Sequence, residues 1–356
     1  MAPTPCPALH WDLFCRVVDN YGDIGVCWRL AADLAGRGHT VRLWVDDPTA
    51  LAWIAPDGTP RVQPIHWTDA TPLPEPGDVV IEAFGCDPPA AFVAAMAACP
   101  RPPAWINLEY LSAEPYVERS HRLPSPQASG PGARLIKWFF YPGFTAATGG
   151  LLREPGLVAT QAAFDAPRWL AANGIAPHPG ERLVSLFCYP GAPLAALLGR
   201  LGDAPTLLLT TPGPATDGVA GLPLPTAVRV QPLPWLSQAG YDRLLWACAL
   251  NLVRGEDSFV RAQWAGAPFA WHIYPQHDGA HAAKLDAFLA RHLQGAPAAL
   301  GAAIGAWMRA WNGLQPELPP LPDLQDWAAH TRRWRDGLCA QPDLTTQLLA
   351  FVCEKR

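Results

Sequence analysis

Trp11-Asp12-Leu13-Phe14-Cys15-Arg16-Val17-Val18-Asp19-Asn20-Tyr21-Gly22-Asp23-Ile24-Gly25 is the segment on which the fold assignment turns. Trp11 to Val18 is a short, mostly apolar run, the pattern of a strand covered on both faces. A turn holding Gly22 and Gly25 follows, then helical periodicity from Val26 to Ala35 and a second strand-like run from Val41 to Val45. Strand, loop, helix and strand in that order open a doubly wound α/β domain, whose ligands sit beyond the carboxyl ends of the strands. Asp19 and Asp23 are therefore expected at the mouth of a first domain.

The alternation continues outward. Val79 to Ala83 and Ala104 to Asn107 read as further strands of the same sheet, with an Ala-rich helix between them from about Pro89 to Ala98. Residues Tyr110 to Glu154 are rich in aromatics, Pro and Gly. Their centre, Trp138 to Phe144, reads either as a core strand with a Pro-Gly turn or as the lining of a binding surface. Prolines 155, 167, 177 and 179 mark a boundary between Glu154 and Gly180.

Beyond that boundary, strands are expected at Leu183 to Cys188, Thr206 to Thr210, Ala227 to Gln231, Leu250 to Val253 and Phe269 to Ile273. Helices are expected at Ala192 to Leu201, Gln238 to Ala247 and Phe259 to Ala265. Four more follow, near Leu285 to His292, Pro297 to Ala310, Leu324 to Leu338 and Thr345 to Lys355. The fold class is thus α/β of the GT-B kind, two facing Rossmann-like domains with a cleft between them. The expected domains are 1–155, completed by a C-terminal helix at 340–356, and 175–335.

Composition bounds the function. The chain has 356 residues, half of them hydrophobic and only 16% charged, enough to bury two cores. Its 41 prolines are spread between apolar segments, which argues against a disordered chain. A net charge of −5 and a pI near 6.0 leave no footprint for nucleic acid and suit a basic acceptor. The nine cysteines are odd in number and contain no C-x-x-C pair, so neither a disulfide framework nor structural zinc is expected, and a reducing cytosol is. No signal-peptide pattern opens the sequence, and no run approaches the ~18 apolar residues of a membrane span. A cytoplasmic protein without membrane or nucleic-acid partners is the expectation.

Two segments carry chemistry. In Val253-Arg254-Gly255-Glu256-Asp257-Ser258-Phe259 a strand gives way to a helix. Gly255 permits close backbone approach, the first helical amides are free to meet an anion, and Arg254 adds a charge-assisted contact, while Asp257 or Ser258 can serve as N-cap. An ordinary capped helix with an Arg-Glu surface pair has the same sequence. Asp19 and Asp23 frame a glycine turn, where one can serve as general base; Asx-turn and cap chemistry uses the same residues.

Other classes lack their signatures. No Gly-x-Gly-x-x-Gly, Walker lysine, Asp-x-Asp or Gly-x-Ser-x-Gly is present, which counts against dinucleotide oxidoreductases, P-loop NTPases, metal-dependent sugar transferases and serine hydrolases. His277 and His281 stand four apart without a third donor, so they read as a solvated helix start.

Several separated segments resemble the bacterial protein-arginine rhamnosyltransferases that modify elongation factor P. They are Phe14 to Leu30, Asn107 to Glu114, Lys137 to Phe144, Thr148 to Glu154, Ser185 to Tyr189 and Asn251 to Gln276. The resemblance implies a GT-B fold and transfer of L-rhamnose from dTDP-β-L-rhamnose to an arginine of elongation factor P, with inversion and no metal or other cofactor. It also implies that the modified factor rescues ribosomes stalled on polyproline.

Carried over by motif, Asp23 is the general base, Asp19 its neighbour and Glu256 a further essential carboxylate. The donor site comprises Asn20, Tyr21, Gly22, Phe187, Tyr189, Trp235, Gln238, Arg254, Asp257, Ser258 and Tyr274. Ala249 stands where an acidic residue is expected, and Trp235 and Ser237 where Phe and Pro are more usual. Two other readings are compatible with the residues. One is another sugar-nucleotide transferase or an epimerase on the same fold, and the other a binding module for nucleotide or elongation factor that does not turn over.

Overall fold

The chain is described here from a computed structural model, covering residues 7–19, 21–275 and 279–356. It divides into two units, residues up to Pro155 together with Gln341–Arg356, and Gly156–Ala340. Each unit is an α/β layer built on its own sheet.

In the first unit the strands are His10–Cys15 (β1), Thr40–Val45 (β2), Val62–His66 (β3), Val79–Ala83 (β4), Ala104–Leu108 (β5), Pro124–Pro126 (β6) and Ile136–Phe140 (β7). They lie in the order β3-β2-β1-β4-β5-β7-β6, with only β6 antiparallel to its neighbour. Strands β4 and β5 are buried along their whole length, as their apolar sequences require. The strand order reverses direction between β1 and β4, so the carboxyl ends of these two strands flank the switch point.

Alternation along β1 divides the core. Trp11, Leu13 and Cys15 point to one face, where they join Leu43, Ile81, Ile106 and Phe140. Phe14 points to the other, with Trp44, Val80, Phe92 and Trp105. That second face also holds two buried carboxylates. Asp12 accepts from Arg42 at 2.6 and 2.7 Å and from the Trp44 indole at 2.8 Å, and Glu82 accepts from Trp105 and Lys137, each at 2.9 Å. Paired in this way, they serve the sheet and not a reaction.

The helix Leu344–Lys355 belongs to this unit despite its distance in sequence. Leu344, Leu348, Phe351 and Val352 enter the same core cluster as Leu13. Asp343 caps the helix through the Thr346 amide at 2.8 Å and accepts from Arg37 at 2.8 Å, while Arg356 reaches Asp78 at 2.6 Å.

In the second unit, Arg182–Leu186 (β8), Thr206–Thr210 (β9), Val228–Pro232 (β10), Leu250–Arg254 (β11) and Phe269–His272 (β12) form an all-parallel sheet in the order β10-β9-β8-β11-β12. Its switch point lies between β8 and β11. The helices Gln238–Ala247 and Asp257–Ala265 are tied together by the buried pair Asp242 and Arg261, bonded at 2.9 and 2.7 Å.

Some boundaries differ from those the sequence predicts. The first strand ends at Cys15, not Val18, and the helix after it begins at Gly22, not Val26. The Gly22 amide already bonds the Asp19 carbonyl at 2.6 Å, so the presumed turn is the helix's own first turn. Strand β3 was not anticipated because Pro64 and polar neighbours hide its period, and its place at the sheet edge tolerates proline. Among the described residues seven cysteines are free and Cys353 is disulfide-bonded, one bond and not a framework. No helix among the described residues is long and apolar enough to cross a membrane.

Candidate functional site

The switch point of the first unit places Asp23 in the first turn of the Gly22–Gly36 helix, where the positive end of the helix dipole favours a carboxylate. Its side chain is 2% exposed. One oxygen, Oδ2, accepts the amides of Val18 and Asp19, both at 2.8 Å. The other, Oδ1, accepts the Tyr110 hydroxyl at 3.3 Å. The carboxylate therefore does close the loop, as the Asx-turn reading has it, and the loop in return occupies one oxygen and leaves the other to Tyr110. Gly22 lets the Asp19 carboxylate lie close to the backbone: a Cβ at this position would sit 2.8 Å from Asp19 Oδ2 and would oblige that side chain to move. Tyr21 packs edge-on against Trp53 at 5.4 Å.

Across the switch point, β4 is followed by Phe84, a non-glycine residue at φ +57°. Its ring stacks on that of Tyr110, with centroids 4.2 Å apart and planes 11° apart. Asn107, at the end of β5, accepts the Gly85 amide at 3.2 Å and donates to Glu109 at 2.9 Å. Burial pushes the Glu109 carboxyl up, and the Tyr141 phenol is pushed up to about 12 by burial and by Glu109. The loop after β5 thus brings the Tyr110 phenol onto Asp23, with the Glu109 carboxylate one residue before it.

In the second unit the carboxyl ends of β8 and β11 build a cation site. Arg254 is 5% exposed. Its guanidinium lies 4.5 Å from the ring centres of both Phe187 and Tyr189, and Nη1 donates to the Cys188 carbonyl at 3.3 Å. Tyr189 in turn packs against His272 and Tyr274, at 5.5 and 5.4 Å. Burial, reinforced by Arg254, pushes the His272 imidazole down to about 4, so the arginine carries the charge of this cluster. Beside Tyr189 opens a depression of about 840 Å³, also lined by Pro190, Gly191, Pro193, Leu194 and Asp217, a size typical of ligand sites.

Gly255 turns the chain at φ +65° into the Asp257–Ala265 helix. The cap position belongs to Glu256, which makes no side-chain cap bond, and not to Asp257 or Ser258. The helix start is therefore not closed over by its own cap, as an anion site requires. The Ser258 hydroxyl donates to the Arg254 carbonyl and Gln238 donates to Asp257 at 3.3 Å. Trp235 and Tyr274 are 44% and 47% exposed. Ser237, where proline was expected, caps its helix through the Gly240 amide at 3.1 Å, a positive reason for serine.

The structure thus groups Asp19, Tyr21, Gly22 and Asp23 in the first unit. In the second it joins Phe187, Tyr189, Arg254 and Tyr274, with Gln238, Glu256, Asp257 and Ser258 at the adjacent helix starts. Asn20 and His277 lie outside the described residues. Sequence reasoning assigned no role to Tyr110, Phe84 or Glu109. The Asn107 to Glu114 motif is visible in the sequence, but the Tyr110 contact to Asp23 spans 87 positions. Among the described residues no group of three His, Cys, Asp or Glu side chains is placed to hold a metal ion.

Comparison with known proteins places this geometry. Residues 11–353 match the family described as Elongation-Factor P (EF-P) rhamnosyltransferase EarP. The protein-arginine rhamnosyltransferase of Pseudomonas aeruginosa is 45% identical over 97% of this chain and 99% of its own. A solved structure concerned with EarP-mediated arginine glycosylation of translation elongation factor EF-P is 34% identical with a TM-score of 0.68, covering 98% of this chain and 100% of that one. Spinosyn rhamnosyltransferase SpnG, 15% identical with a TM-score of 0.54 over 98% and 100% of the two chains, shares the fold alone.

Proposed function

Because the chain belongs to the EarP family of arginine rhamnosyltransferases, we propose that it transfers L-rhamnose from dTDP-β-L-rhamnose to an arginine of elongation factor P, with inversion at the anomeric carbon. The obstacle is the acceptor. A guanidinium with a pKa above ~12 has no free lone pair at neutral pH. A fixed carboxylate must orient it, localise its charge and take its proton as the new bond forms. Asp23 is that carboxylate, with Asp19 on the loop that leads into its helix.

The step balances simply. The nitrogen–carbon bond forms, the bond from the anomeric carbon to phosphate oxygen breaks, its electron pair leaves with the dTDP, and the proton goes to Asp23. Charge developing on the diphosphate is met by Arg254 and by the amides that begin the Asp257–Ala265 helix. Glu256, at the start of that helix, is a second essential carboxylate, and Phe187, Tyr189, Gln238 and Tyr274 hold the nucleotide sugar. No metal is required in this scheme. In this reading the protein works in the cytoplasm, where translation runs, and its product serves ribosomes stalled on polyproline.

The observation that carries this reading is the Asp23 carboxylate, fixed through Oδ2 by two amides at 2.8 Å while Oδ1 accepts the Tyr110 hydroxyl at 3.3 Å. The test is incubation of the protein with purified elongation factor P and dTDP-β-L-rhamnose, read by intact mass and by fragmentation. Gain of one deoxyhexosyl unit on an arginine is expected. An acceptor of unchanged mass rejects the proposal.

A further inference from the structure

We infer that Tyr110 is the positioning residue for Asp23, and that Phe84 is strained in order to hold Tyr110. The inference rests on the assignment of Asp23 as base. With Oδ2 occupied by the amides of Val18 and Asp19, Oδ1 is the oxygen that receives the acceptor's proton. The Tyr110 hydroxyl donates to that same oxygen at 3.3 Å. It takes one lone pair and so sets the plane of the carboxylate, leaving the other lone pair for the incoming N–H.

Phe84 supplies the second, independent observation. A phenylalanine at φ +57° is an outlier where glycine is the ordinary occupant, and such strain persists where the surroundings over-determine it. Here the Phe84 amide is held by the Leu108 carbonyl at 2.7 Å and the next amide by Asn107 at 3.2 Å. Glycine would satisfy the same backbone bonds without strain, but it would leave no ring under Tyr110. The Phe84 ring packs on one side against the core of the first unit, and on the other it meets Tyr110, which is 38% exposed and so is held there by the stack more than by burial. What the ring does secure is the direction of the Tyr110 hydroxyl.

The test uses Tyr110→Phe, Phe84→Leu and the double variant, with elongation factor P and dTDP-β-L-rhamnose as substrates. Tyr110→Phe keeps the ring and loses only the hydroxyl. It should lower kcat about 10- to 100-fold, the usual worth of a hydrogen bond to a charged group, with dTDP affinity, acceptor KM and melting temperature unchanged. Phe84→Leu should give a comparable kcat loss, and the double variant no further one, because both remove the same constraint. Wild-type kcat in Tyr110→Phe, a loss confined to KM, or losses that multiply in the double variant overturn the inference. The Tyr110→Phe arm decides alone should Phe84→Leu fail to fold. A wild type that transfers nothing overturns the functional reading and this inference with it, whereas equal activity of wild type and Tyr110→Phe removes this inference only.

Discussion

The Arg254 guanidinium lies 4.5 Å over the ring of Tyr189, and the Phe187 ring lies at the same distance. A planar, delocalised cation can be held by aromatic faces in a way an ammonium cannot. Nη1 is also tied to the Cys188 carbonyl at 3.3 Å, so the charge is preorganised before any donor arrives. Arg254→Lys should therefore fold but lose about 10²- to 10³-fold in kcat, the range found when one donor to a developing anion is removed. Steady-state kinetics at saturating acceptor, with a melting curve as control, check this; a lysine variant of near wild-type rate would show that shape is irrelevant here.

Charge on the leaving diphosphate is assigned to this arginine and to a helix start that carries no side-chain cap. Transfer should accordingly proceed at an unchanged rate in excess EDTA and gain nothing from added magnesium or manganese. A chelator-sensitive rate restored by one divalent ion would contradict the assignment.

Asp23 and the groups assigned to dTDP lie in different units of the chain, which separates their roles experimentally. Asp23→Asn should cut kcat by at least about 10²- to 10⁴-fold, the contribution of a positioned acid–base group. Affinity for dTDP, measured by calorimetry, should remain that of the wild type. The amide can still accept the Val18 and Asp19 N–H groups through one oxygen, so the loop is expected to survive. Weakened dTDP binding would place Asp23 in the donor site instead.

The doubly wound pattern is legible because buried parallel strands are apolar along their length. Val79–Ala83, Thr206–Thr210 and Gln238–Ala247 fall at the limits their sequences predict. Where polar or special residues interrupt the period, the reading fails. The glycines at 22 and 25 disguise a first helical turn, and Pro64 disguises an edge strand. The same division holds for the site. Asp19 and Asp23 are four residues apart, so local spacing brings them together. The Tyr110 contact to Asp23 and the Arg254 contact to Cys188 span 87 and 66 positions, and only the fold supplies those distances.

Acid should destabilise the second unit through His292. Burial pushes this imidazole down to about 3 from an ordinary value near 6.5, with His330 adding to the effect, and neither ring nitrogen has a hydrogen-bond partner among the described residues. Its folded pKa is depressed, so the neutral form is the one that folds. Above pH ~6.5 both folded and unfolded chains carry it neutral and no stability is lost. Below that the unfolded chain takes up a proton that the folded chain refuses, costing up to about 1.4 kcal/mol per pH unit until the folded pKa is reached. His292→Phe should flatten the pH dependence of the urea midpoint over this window. It should also be neutral or stabilising at pH ~7, since it removes two unsatisfied nitrogens while the backbone carbonyl that bonds His330 stays. An unchanged slope would move the acid sensitivity to His121 or His272, which burial also pushes down to about 4.

Phe351 tests whether the last helix is part of the first unit's core or only an appendage. It is 1% exposed, its ring lies 5.5 Å from Trp138 and 5.8 Å from Phe140, and Arg122 and Lys355 cover it at 5.0 and 5.4 Å. Trp138 and Phe140 are on β7, next to β5, so a cavity there opens directly onto the sheet that positions Asn107 and Tyr110. Phe351→Ala should cost about 3–5 kcal/mol, the usual range for emptying a buried aromatic site. Because the first unit carries Asp23 and the second the groups assigned to dTDP, urea unfolding should show the loss in the transition of the first unit. Binding of dTDP should persist at denaturant concentrations where transfer has ceased. A variant whose transition shifts by less than about 1 kcal/mol would mean that the Phe351 ring contributes little, and that the helix is held by its other apolar residues, its Asp343 and Arg356 contacts and the Cys353 disulfide.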